Sequence, residues 1–369
     1  MKKTAIVCII LLLLWVKPVE AEDPADYSEI EKSLQTQIGE RISIEELVTD
    51  VQNGKLTERI LEMVKGKWKD ALKEEQELKS LFFQMLFIGF MIAVFQNFSK
   101  SFLEQYIGTT GFYIVYMILC GILVQQFFII YGYAKEVLEQ MTAFMKILVP
   151  TYSMVLLSVT GITTSTAAYE FFFILITAVQ WGIVSVILPA IKVGFVLKLL
   201  NFLAEEDLFS GMIDVLESLI RLLLKGAIMI VLLFNIFQSM LLPAIDSVKS
   251  SIIQKGLGVL PGIGQVFGMI ANTAIGSGII LKNVIGVVGM IIICMILFVP
   301  VVKIFLYAES FQIAGAVLQP VTDKRVYQIF KSISGSGKLL LQAVLTAAVL
   351  FLLTIAIISV TSNINYYVG

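Results

Sequence analysis

The sequence predicts an all-α, polytopic helical bundle embedded in a membrane, and three observations carry that prediction. Of the 369 residues, 58% are hydrophobic and 15% are charged, whereas soluble domains have about 45–50% apolar and about 25% charged residues. The mean hydropathy is +0.90. Charged residues are concentrated near the N-terminus, and eight uncharged runs of about 18 residues or more follow one another from Ser80 onward.

The same composition excludes several classes of function. The net charge of −1 gives no electrostatic basis for nucleic acid binding. The chain has no histidine, which removes the commonest general base and the commonest zinc ligand together. Cys8, Cys120 and Cys294 lie in apolar runs and cannot make a disulfide framework. A soluble enzyme and a disordered chain are therefore excluded, and we predict no cofactor and no metal site.

Residues 1–21 have the parts of a secretory signal peptide. Two lysines precede the apolar run Thr4–Val16, and Val19 and Ala21 provide the small residues of a cleavage site. Thirteen residues of helix span only about 20 Å, less than the roughly 30 Å hydrocarbon layer. We therefore predict cleavage after Ala21, with an uncleaved first anchor as the alternative.

Residues 22–79 form a polar segment that a cleaved signal would place outside the cytoplasm. The segment holds 15 acidic and nine basic residues, with apolar residues such as Ile60, Val64 and Trp68 at helical spacing. We predict a short helical extracytoplasmic segment. It is either a solvated linker or a docking face for a partner outside the membrane.

Residues 80–369 form the predicted transmembrane domain. Two segments, near 141–161 and 304–322, are interrupted by Lys146 and Glu309, so the predicted number of spans lies between six and eight. The other six predicted spans lie near 81–98, 112–131, 171–191, 226–245, 284–302 and 339–360.

Residues 192–225 carry apolar stripes at a period of 3.6 residues. Charged side chains, including Asp214, Glu217 and Arg221, lie opposite the second stripe. The pattern predicts amphipathic interfacial helices that lie on the membrane surface or cap the bundle. The three charged residues form either a solvated face or a surface ion network.

Residues 256–282 are rich in glycine. Small-residue pairs such as Gly264 and Gly268 favour ordinary close packing of helices. The alternative is a re-entrant segment, because Pro261 and Gly262 halt a helix before it can span, and its irregular backbone would be shielded by protein or by a water-filled cavity.

Lys303 and Glu309 follow this segment, and each has a different expected role. Lys303 can extend its amine to the interface. Glu309 lacks that reach, so in a true span it would face the bundle interior or a wet cavity, which makes it the first functional candidate. The alternative is an interfacial helix with Glu309 in water. At a spacing of six residues the two side chains do not share a helical face, so we expect no ion pair between them.

Residues 323–338 form a predicted basic loop with four bases and one acid, which the positive-inside rule places in the cytoplasm, with the C-terminus outside. The stretch that ends at Lys338 is similar to part of a phosphate-binding loop, but Ser332 and Leu339 occupy positions that require glycine and a hydroxyl residue. No catalytic constellation is present in the sequence, and we predict that the protein is not an enzyme.

Two stretches of the sequence resemble the signature of the stage III sporulation protein AE family. The first runs from Leu257 to Gly264 and continues over 275–286, and the second combines Pro300–Lys303 with Gln319–Arg325. The signature positions, which can be structural, functional or both, are Pro261, Gly262, Gly264, Lys303, Pro320, Asp323, Lys324 and Arg325.

The resemblance implies a multi-pass protein of the mother-cell membrane around the forespore. Such proteins are the multi-spanning subunit of a channel complex that joins the two cells and sustains late forespore gene expression. The implied partners are a cytoplasmic ATPase, ring-forming membrane proteins, small membrane proteins and lipid. The alternatives are a self-contained secondary transporter that uses Glu309 or Lys303 for ion coupling, and an architectural anchor.

Overall fold

The computed structural model describes residues 62–63, 65–66, 75–102, 105–160, 173–203, 208–257, 263–322 and 324–361. Within these residues the chain is helical apart from short turns and contains no strand, which confirms the predicted all-α class. The helices are α1 (Glu75–Phe102), α2 (Gln105–Thr160), α3 (Leu188–Leu203), α4 (Ser210–Leu257), α5 (Ile263–Leu318) and α6 (Lys324–Thr361). A π-helical turn over Gly182–Ile187 joins helical residues 173–181 to α3. The predicted signal peptide and most of the polar segment 22–79 lie outside the described residues.

Four helical stretches of the described residues are long and apolar enough to cross a membrane. They contain 30 to 39 residues each, whereas a perpendicular span needs only about 20. A shorter apolar stretch, Phe82–Val94, lies in α1. The total number of crossings stays a prediction. The four stretches are Ile114–Tyr152, Phe173–Phe202, Asn283–Leu318 and Lys324–Ala356.

Helices α2 and α5 are longer than the sequence pattern predicts, because α2 joins two predicted segments and α5 joins parts of three. Each has 56 residues and contains one internal proline, Pro150 in α2 and Pro300 in α5. Lys146 was expected to interrupt a span, but its side chain is exposed on the outside of α2. A charged side chain on an outer face breaks no backbone hydrogen bond, so the helix continues past it.

The structure corrects the prediction of a basic loop over 323–338. From Lys324 onward these residues are the first turns of α6, and Asp323 lies outside the described residues. Ser334, Ser336 and Gly337 are buried. The low helix propensity of glycine and serine predicts a flexible turn, but packing of these small residues against neighbouring helices overrides it. The cytoplasmic side of this segment stays a prediction.

The apolar stripes over 192–225 lie on helices, and the position of these helices at the membrane surface stays a prediction. The stripes belong to α3 and to the first half of α4, and Phe195, Leu199, Ile213 and Ile220 are buried among other helices. A stripe of period 3.6 faces any apolar neighbour, whether lipid or protein, so the sequence pattern cannot distinguish the two.

A tight turn connects α5 and α6 into an antiparallel hairpin. Thr322 closes the turn, since both its amide and its hydroxyl donate to the carbonyl oxygen of Leu318, at 3.0 and 2.9 Å. Further along, Gly315 lies so close to Phe330 that an added Cβ would stand 2.7 Å from the Cβ of Phe330, and one at Gly337 would stand 3.1 Å from that of Ala308. Small residues therefore let the two helices approach closely.

Helix α2 runs beside this hairpin and parallel to α6. Near one end of the contact between α2 and α6, a Cβ added at Gly337 would lie 4.0 Å from the side chain of Ile130. Near the other end of the contact, the Tyr152 hydroxyl donates to Ser359 Oγ at 3.4 Å. The two residues are 207 positions apart in the sequence, both for Ile130 with Gly337 and for Tyr152 with Ser359. In between, Leu148 and Ile355 both pack at Gly289 of α5. Residues 130–152 of α2 therefore lie at the same level as residues 337–359 of α6.

Candidate functional site

A buried lysine holds α3, α4 and α6 together. The Lys198 amine of α3 lies 2.5 Å from a carboxylate oxygen of Glu217 on α4, and its side chain is only 9% exposed. The same amine donates to the Ser336 hydroxyl at 3.0 Å and to the Ser332 carbonyl oxygen at 3.4 Å, both on α6. Arg221, one turn along α4, pairs with the other oxygen of Glu217 at 2.8 Å. We call these five residues the Lys198 cluster.

The electrostatics of the Lys198 cluster favour ionised Glu217. Burial raises the pKa of Glu217, but the hydrogen bonds and positive charges of Lys198 and Arg221 outweigh burial and bring the pKa below its ordinary value of 4.5. The carboxylate thus neutralises a lysine that the fold has removed from water, which is the condition under which a buried charge is tolerated.

Aromatic stacking and a side-chain hydrogen bond fix the backbone on both sides of Lys198. Phe195, one turn before it, stacks on Phe127 of α2 with ring centroids 3.8 Å apart. Asn201 accepts a hydrogen bond from the Phe209 amide at 2.8 Å, which ties the end of α3 to the start of α4. The position of the amine is therefore set by packing as well as by its charge partners.

Glu309 pairs with a lysine far away in sequence. Its carboxylate lies 3.1 Å from the Lys338 amine of α6, and both side chains are partly exposed. Lys338 also donates to the side-chain oxygen of Gln312, one turn after Glu309. The carboxyl group that we selected as the first functional candidate is therefore one half of an ion pair across the α5–α6 hairpin.

Lys303 contacts α2, whereas Glu309 pairs with α6. Its amine lies 4.9 Å from the ring centroid of Tyr133 on α2, within the range of a cation–π contact. Lys192 lies at the same distance from Phe128. Two lysines at the ends of uncharged runs thus cover aromatic rings of α2.

Of the other predicted site residues, only some lie within the described residues. Gly264 is the second residue of α5, and Pro261 and Gly262 lie outside the described residues, so the re-entrant segment stays a prediction. Lys324 and Arg325 are exposed in the first turn of α6. The structure therefore brings together Glu309 and Lys338, and does not bring Lys324 or Arg325 to them.

The sequence pattern missed Lys198 as a site residue. It showed only a lysine at the border of an apolar stripe, with Glu217 and Arg221 on one face of the following helix. Because Ser332 and Ser336 are more than 130 positions away from Lys198, only the tertiary structure reveals the cluster. The only related feature in the sequence is the hydroxyl-rich stretch 332–336, which does not identify Lys198 as its partner.

Both acidic residues of these ion pairs are bound by basic side chains in the described residues. Glu217 and Glu309 are both neutralised by bases, and the described residues include no group of three or more cysteine or acidic side chains that could hold a metal ion. Ion pairs of this kind orient helices in apolar surroundings.

The four helices that are long and apolar enough to cross a membrane indicate a helical membrane protein. Within that class the family is shown by sequence: the model of the stage III sporulation protein AE family matches residues 42–362, and the chain belongs to this family. The resemblance inferred from the sequence is thus confirmed. The family is not a known enzyme family.

A curated relative gives the same family by direct comparison. The stage III sporulation protein AE of Bacillus subtilis (strain 168) is 22% identical to the chain over 286 residues, which is 76% of this chain and 71% of the relative. No solved structure matches the chain.

Proposed function

We propose that the protein is a non-enzymatic membrane subunit of a channel complex that joins the mother cell and the forespore during sporulation. The observation that carries the proposal is the family match over residues 42–362, a stretch that contains all four candidate spans. The subunit resides in the mother-cell membrane around the forespore. Its partners are a cytoplasmic ATPase, ring-forming membrane proteins and small membrane proteins.

The start of α6 is the surface that we assign to the ATPase. Lys324, Arg325 and Lys331 are exposed there and form a basic patch. Lys338 is not part of this patch, because it is engaged by Glu309 and Gln312. A basic patch on the cytoplasmic side attracts an acidic surface of a soluble partner over several ångströms.

Two measurements in a spore-forming host test the proposal. Deletion of the gene should abolish a late forespore transcription reporter, and the wild-type gene should restore it. Reversal of charge at Lys324, Arg325 and Lys331 should reduce recovery of the ATPase with the purified membrane protein. The matched control is Lys225→Glu, an exposed lysine of α4, which should leave recovery unchanged.

The outcomes separate the whole proposal from its parts. A reporter that stays active after deletion contradicts the sporulation role. Full recovery of the ATPase by the charge-reversed protein contradicts only the assigned surface. Solute uptake by the purified protein alone in liposomes would support a self-contained transporter instead.

A further inference from the structure

A π-helical turn divides the candidate span Phe173–Phe202 into two parts. In this turn, over Gly182–Ile187, the Leu188 amide donates to the carbonyl oxygen of Ile183, which is one residue further back than in an α-helix. Pro189 follows directly and has no N–H, so it supplies no backbone hydrogen bond in either register. The backbone hydrogen bonding of this span is therefore weakened at one place.

Gly182, at the start of the turn, adds to this weakness. A Cβ added there would meet nothing within 4 Å, so no neighbouring helix requires a glycine at this position. Glycine in a helix interior costs about 0.5–1 kcal/mol relative to alanine, because it loses more backbone freedom on folding. Bends in helices occur at π turns and at prolines, and here glycine, π turn and Pro189 follow one another within eight residues.

The part of the span after the turn, α3, is fixed on several sides. Lys198 bonds to Glu217 of α4 and to Ser336 of α6. Phe195 stacks on Phe127 of α2. Other buried residues of α3 are Leu188, Ile191 and Leu199. A movement of α3 would therefore break contacts to three helices at once.

The part of the span before the turn, residues 173–181, is packed much less. Of these nine described residues only Ile176 is buried, whereas Ile174 and Trp181 are 66% and 65% exposed. A segment with few buried contacts moves at a low cost in free energy. One candidate span thus has a fixed half and a loosely packed half, which are joined at a weakened turn. We call residues 173–181 the arm.

We propose that the π turn and Pro189 form a hinge, about which the arm swings while α3 keeps its contacts. The arm is about 14 Å long at the rise of an α-helix. A bend of about 20°, the size of a sharp helix kink, moves its far end by about 5 Å. The bundle can therefore open and close at the arm while the Lys198 cluster remains intact. This inference goes beyond the proposed function and does not depend on it.

Pulsed electron–electron double resonance between two spin labels measures the hinge. The sample is purified full-length protein with its three cysteines replaced by alanine. One label is placed at Leu345→Cys on α6, and the second at either Ala178→Cys in the arm or Val196→Cys on α3. All three positions are exposed on helices, so the labels themselves add similar widths to the two distance distributions.

The distance distribution from Ala178 is expected to be about twice as wide as that from Val196, because only the arm swings. Pro189→Ala restores a backbone donor at a position whose side chain is exposed, so it should narrow the Ala178 distribution toward the Val196 width. Gly182→Ala should narrow it as well. The matched control is Pro150→Ala, which changes the internal proline of α2 and should leave both widths unchanged.

Two results overturn the hinge. The first is an Ala178 distribution as narrow as that from Val196 when the turn is unchanged, which means that the arm is fixed. The second is a broad Ala178 distribution that neither Pro189→Ala nor Gly182→Ala narrows, which means that the motion arises elsewhere. The first comparison needs no substitution in the turn, so it tests the hinge even if a variant fails to fold.

Discussion

Replacing Glu217 by glutamine removes the charge that neutralises Lys198 and leaves the side-chain volume unchanged. Removing one partner of a buried ion pair costs about 3–5 kcal/mol. Glu217 is 23% exposed, and Ser336 and the Ser332 carbonyl still accept hydrogen bonds from the amine. We therefore expect a smaller loss, about 2–3 kcal/mol, for Glu217→Gln.

The assay is thermal unfolding of the purified protein in detergent. A loss of that size lowers the midpoint of unfolding by roughly 4–12 °C on the scale of 150–250-residue domains. Arg221→Gln is the matched control, since it removes the other partner of Glu217 from an exposed position. Its expected cost is below about 0.5 kcal/mol.

A second substitution isolates the buried charge as the cause. Adding Lys198→Met to Glu217→Gln removes the unpaired cation, so the double variant should unfold at a higher temperature than Glu217→Gln alone. Two results would refute the reasoning. The first is a Glu217→Gln variant that is as stable as Arg221→Gln, and the second is a double variant that is less stable than Glu217→Gln alone.

Three further predictions use the same unfolding measurement. The single changes Glu309→Lys and Lys338→Glu should each cost below about 1 kcal/mol, because the pair is partly exposed, and the double swap should recover the loss; no recovery contradicts a direct pair. Gly315→Leu should cost about 1–3 kcal/mol by forcing α5 from α6, whereas Gly121→Leu, with nothing within 4 Å of an added Cβ, should not. Because the pKa of Glu217 is lowered in the folded protein, its contribution to stability is complete above the ordinary pKa of 4.5 and is lost as the pH falls through the folded-state pKa. Glu217→Gln should therefore weaken the loss of stability at acidic pH. A variant that loses as much stability in acid as the wild type contradicts this prediction.

Composition and periodicity predict the class of this fold because they report what surrounds a helix. The uncharged runs at 284–302 and 339–360 correspond to parts of α5 and α6. Helix ends are less predictable. Lys146 and Glu309 look like interruptions in a linear sequence, but each lies on an outer or paired face where the backbone continues unbroken.

The candidate site is less predictable than the fold, because its pairs are tertiary. The sequence indicates Glu309 because a carboxylate inside a membrane span costs free energy. No residue near Glu309 in the sequence identifies Lys338 as its partner. Lys198 gave no signal beyond its place beside a stripe. In the same way, the glycines and serines before Lys338 indicate a flexible loop until the neighbouring helices that they contact are known.

The short connection between Leu318 and Lys324 bears on how the protein is made. Helices joined so closely can leave the ribosome and partition into lipid together as one hairpin. Glu309 and Lys338 can then neutralise each other on the way in, which lowers the cost of moving either charge into the hydrocarbon layer. The pair that joins the folded helices therefore also eases their biogenesis.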